Sequence, residues 1–154
     1  MRDWNRIAPF ESRLVWERRE FAEFSMQERR SLSRVVLQDL GMEVRTEEGF
    51  VLGLLNPRAN PPRLLLRADL SDDSQTAMLL CAARALQVGE TGRPVLFLLA
   101  AGDEMPPTAY GGVEAELNAK DYDPSLYGGV PDEDRALALA ARDFTEEAFR
   151  WCAR

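Results

Sequence analysis

RADLSDDSQTAMLLCAARAL, residues 67–86, is the stretch on which the fold turns. Its first residues close an apolar run, RLLLRAD, whose continuity fits a strand covered on both faces. Asp72, Asp73 and Ser74 then offer side-chain acceptors of the kind that cap helix amides and oppose the helix macrodipole. From Gln75 to Val88 the chain is rich in Ala and Leu, which predicts a helix. The stretch reads as a strand–turn–helix corner with acidic residues at the bend.

Downstream, GETGRP ends that helix and VLFLLAA, residues 95–101, supplies a second buried strand. A strand–helix–strand unit of this length makes a parallel crossover, so both strands end at one sheet edge. Ligands in such sheets bind beyond the strands' carboxyl ends. The topology therefore carries Asp69, Asp72 and Asp73 toward Asp103 and Glu104, which follow the second strand.

Upstream, Phe10, Leu14, Phe21 and Phe24 recur at helical spacing and predict an amphipathic helix ending near Phe24. SMQE, residues 25–28, has the pattern of a capping box opening a second helix. Leu32, Val35, Val36 and Leu40 form its expected buried stripe, and Gly41 its C-terminal stop. MEVRT and FVLGLL, on either side of EEG, read as an antiparallel pair. NPRANPP, residues 56–62, reads as a turn, because its prolines lack ladder donors. Beyond the second crossover strand, YGGVEAEL is expected to begin a short helix and residues 118–130 to form a loop. Residues 131–142 and 145–152 read as one broken or two short helices.

Composition narrows the function. A chain of 154 residues suits a single domain, 1–154, with 45% hydrophobic and 29% charged residues. The longest apolar run, residues 94–101, is too short to span a bilayer. The charged start MRDWNRIAPFESR lacks an apolar signal core, so a cytoplasmic location is expected. A net charge of -7 argues against a nucleic-acid partner. Cys81 and Cys152 have neither metal-ligand nor disulfide-framework spacing. Cys81, among helix formers, is expected to be a small buried hydrophobe. The chain contains no histidine, which removes the base of a serine triad and zinc's commonest nitrogen ligand.

Five ordered motifs, RREFAEFSMQE (18–28), GMEVRT (41–46), LLRADLS (65–71), QTAMLLCAA (75–83) and AAGDEMPPTAYGGVEAEL (100–117), resemble one family. It is the zinc aminoacylase and carboxypeptidase metallopeptidases, which include hippurate hydrolases and auxin-conjugate amidohydrolases. The resemblance runs from Leu14 to Leu117. It implies a three-layer α/β/α sandwich with a mixed, partly parallel sheet, like the catalytic domain of zinc-dependent exopeptidases. The chain has no room for that family's lid and dimerisation domain.

The resemblance also implies a dismantled centre. It sets Leu70 at a ligand cysteine, Asp72 at a ligand histidine and Gln75 at the last histidine of the metal loop. Asp103 stands at the general base and Glu104 at a metal ligand. The expectation is a catalytically degenerate relative acting as a binding or structural module for a small molecule or protein. It has no catalytic residue, metal or cofactor, with Asp103 a vestigial base position and Asp72, Glu104 and Asp69 vestigial metal positions. A first alternative is a small hydrolase of acyl-amino acids or dipeptides using Mg²⁺ or Mn²⁺ held by those carboxylates, with Asp103 as base. A second is a self-associating structural module, a homodimer joined through Tyr122, Leu126 and Tyr127.

Overall fold

In the computed structural model, residues 6–47, 49–57, 63–89, 91–102, 113–129 and 132–153 are described. Helix α1 (Glu11–Glu23) stops just before Phe24, which is extended. The capping box then forms as its spacing predicts. Ser25 Oγ accepts from the Glu28 amide at 3.2 Å, and the Ser25 amide donates to Glu28 Oε1 at 2.9 Å. Helix α2 (Met26–Asp39) follows. Its inward stripe differs by one position from expectation. Val36 and Leu37 are buried, whereas Val35 is 41% exposed. Gly41 closes the helix at φ +83°, a left-handed conformation that a side chain would strain.

The expected antiparallel pair is β1 (Glu43–Glu47) with β2 (Phe50–Leu55). The expected crossover is β3 (Arg63–Asp69), α3 (Asp73–Val88) and β4 (Val95–Ala100), with β3 and β4 parallel. Asn56 and Pro57 begin the proline-rich turn, and its residues 58–62 lie outside the described set.

Two readings are corrected further on. VEAELN is not a helix start but strand β5 (Val113–Asn118), parallel to β3. Its Glu and Ala are good helix formers, yet the burial alternates. Ala115 and Leu117 pack on the core while Glu114 and Glu116 are exposed. The tertiary pairing outweighs local propensity. Helix α4 (Glu133–Cys152) is a single helix that runs through residues 143 and 144, where a break was expected, and Phe144 is buried there. Between β5 and α4, Ala119–Tyr122 and Pro124–Tyr127 each wind into a short 3-10 turn.

The sheet order is β1-β2-β4-β3-β5, mixed and flanked by helices, consistent with the expected three-layer α/β class. Alternation along the two central strands splits their side chains. Leu64, Leu66, Val95, Phe97 and Leu99 join the core that α1, α2, α3 and α4 complete. Leu65, Leu96 and Leu98 point the other way and cluster with Leu52 and Ala100. Each buried leucine contributes about 1.5–3 kcal/mol relative to exposure, so the central strands hold both faces in place.

One ion pair is embedded in the helical side. Glu17 of α1 is fully buried and accepts from both terminal nitrogens of Arg84 of α3, at 2.6 and 2.8 Å. Cys81, one turn away on α3, is buried as expected, and burial pushes its thiol up to about 12. Among the described residues no helix is long and apolar enough to cross a membrane.

Candidate functional site

The bend between β3 and α3 is built almost wholly from its own side chains. Asp72 is the N-cap of α3, and its Oδ1 accepts from the Gln75 amide at 3.0 Å. Gln75 folds back, so that its Oε1 accepts from the Asp69 amide at 2.9 Å. Thr76 Oγ1 donates to the carbonyls of Asp72, at 2.9 Å, and Asp69, at 3.2 Å. Four polar residues of the motif, Asp72, Gln75, Thr76 and, through its own bond to the Ser74 amide at 2.7 Å, Asp73, thus serve the helix start. Leu70, in the position implied for a thiolate ligand, is 1% exposed and belongs to the core.

Asp69 is the most heavily bonded acid at this edge. Its Oδ1 accepts from the Ser71 hydroxyl at 2.6 Å, the Ser71 amide at 2.9 Å and the Gly102 amide at 3.1 Å. Gly102 has φ +62°, a conformation glycine adopts readily, where it donates to Asp69 just after β4. Partial burial acts to raise the Asp69 pKa. The bonds from Ser71 and Gly102, with the charge of Arg67, outweigh that and leave it below the usual aspartate value. Asp69 is therefore a weak base at neutral pH.

Arginines brace the same corner. Arg29, reaching across from α2, donates to the carbonyls of Leu70 at 3.1 Å and Ser71 at 2.8 Å. Arg67, 8% exposed, lies 3.6 Å from Glu116 of β5 and donates a long 3.5 Å bond to the Gly102 carbonyl.

At the carboxyl ends of β3 and β5, where an open α/β sheet binds ligands, the described residues form a crevice of 40 Å³. Arg67, Asp69, Gln75, Gly102, Asn118 and Lys120 line it. A wider cleft of 450 Å³ lies on another side of the α3 start. There Asp72 and Asp73 face Asp123 and Tyr127, with Arg18 and Glu133 along the wall. Its acids are also engaged locally, since Asp123 Oδ1 accepts from the Ser125 amide at 2.8 Å. Arg18 is paired with Asp134 of α4 at 2.6 Å.

Asp69 borders the crevice and Asp72 the cleft. Asp103 and Glu104 lie outside the described residues. Among those described, no group of three or more acids or cysteines is placed to hold a metal ion. Two of the three residues proposed for a dimer contact have internal partners. The Tyr122 ring packs on Phe144 at 5.4 Å, and the Tyr127 hydroxyl donates to Asp143. Leu126 is 68% exposed. Gln75 had a sequence signal, a side chain three positions after a cap. Arg29 and Arg67 had none, because their partners are distant in the chain.

No protein-family model and no curated protein sequence matches the chain. Among solved structures it is similar to the Macrostomum lignano glutaminyl cyclase, at 17% identity and a TM-score of 0.50. That likeness covers 64% of this chain and 41% of the other, so the chain spans less than half the length of that protein. It is also similar to the Porphyromonas gingivalis glutaminyl cyclase, at 14% identity and a TM-score of 0.47, covering 78% of this chain and 67% of that one. At these identities the likeness shows the fold alone.

These findings correct the aminoacylase and carboxypeptidase resemblance. A solved structure that the chain resembles at a TM-score of 0.50 is a glutaminyl cyclase, and no family model supports the motif reading. The geometry gives the reason. The matched residues around 65–83 are those a strand–turn–helix corner needs for its own closure: Asp72 as cap, Gln75 and Thr76 as backbone partners, Leu70 as core.

Proposed function

We propose that the protein is a non-catalytic binding or structural module on a metallopeptidase-like α/β scaffold. The observation that carries this reading is the employment of Asp69. One of its carboxylate oxygens accepts three hydrogen bonds, two from Ser71 and one from Gly102. A metal ligand or a general base needs a lone pair directed at the ion or the proton. Here Oδ1 is engaged in tying the end of β3 to the end of β4, which leaves the Asp69 carboxylate only Oδ2 to offer an ion. Asp72 likewise caps α3.

Ligand chemistry supports the same conclusion. Zinc sites in proteins draw on imidazole and thiolate, and a chain without histidine has only carboxylates and two cysteines to offer. Cys81 is buried on the inner side of α3, and Cys152 stands near the end of α4.

The test is turnover. Purified protein supplied with Zn²⁺, Mn²⁺ or Mg²⁺ is offered dipeptides, acyl-amino acids and peptides with an N-terminal glutamine. The expected result is no rate above the metal-only control. A metal-dependent rate that disappears in Asp69→Asn would overturn the proposal.

A further inference from the structure

We draw no further inference here: the strongest candidate, the acidic cleft between the first turn of α3 and the turn Pro124–Tyr127, is a group of carboxylates at helix starts, engaged in local hydrogen bonds, with no second sign of a ligand.

Discussion

The two ends of α3 hold acids in opposite ways. Near its C-terminal end, Arg84 meets Glu17 inside the helical layer, where the carboxylate is sealed from water and bound by two guanidinium bonds. At its N-terminal end, Asp69 and Asp72 stay partly open to solvent and bind mainly backbone amides. The first pair joins residues 67 positions apart, and the second set closes a bend of a few residues, save for one bond from the Gly102 amide to Asp69. Burial makes the first costly to disturb, and solvent makes the second forgiving.

The largest effect is therefore expected far from the candidate site. Removing one partner of a buried pair leaves an uncompensated charge and costs about 3–5 kcal/mol. Glu17→Ala should lose that much stability in urea titration. Replacing both partners together, Glu17→Leu with Arg84→Met, should recover most of it. Equal losses from the single and double variants would show that the pair contributes through packing alone.

At the other end Asp72→Ala removes an N-cap and should cost about 1 kcal/mol, with Asp72→Asn costing only a few tenths. The same urea titration reads both. A loss as large as that of Glu17→Ala would erase the contrast between the two ends.

These two ends also differ in how legible they were. SMQE and SDDSQT announce their caps through residues three positions apart, and both caps form. The β1–β2 pair and the β3–α3–β4 crossover follow from a change of hydrophobic period that needs no distant partner. Glu17 and Arg84 carry no such signal. Each looks like an ordinary charged residue on a helix, and only the packing of α1 on α3 makes them a pair. Strand β5 was hidden for a related reason, since its Glu and Ala favour a helix and its neighbour β3 lies some 50 positions earlier, as pairings such as Leu64 with Ala115 show. The corner's shape and its capping acids were readable, whereas the family resemblance drawn from the same residues did not hold. Acids that a capped bend requires are the same residue types that a metal centre requires, and spacing alone does not separate the two uses.

The smallest effect is expected at Asp69, and pH isolates it. A carboxyl whose folded pKa lies below its unfolded value adds stability above the unfolded value, near 3.9. That stability is lost as pH falls through the lowered folded value. Asp69→Asn should cost less than about 1 kcal/mol at neutral pH, because the group is partly solvated. It should also flatten the stability profile below pH 4. A variant profile parallel to the native one at acid pH would remove Asp69 from this role.

Thermal unfolding in chelator and in millimolar Zn²⁺, Mn²⁺ or Mg²⁺, for the native chain and the Asp69→Asn/Asp72→Ala double variant, tests most directly whether the corner acids serve the fold or an ion. An ion bound only to the folded state at a hundred times its dissociation constant adds about 2.7 kcal/mol. The account predicts that the native midpoint does not respond to any of the three ions and that the double variant melts lower by the same margin in every buffer. A metal-dependent rise in the native protein that vanishes in the double variant would contradict it.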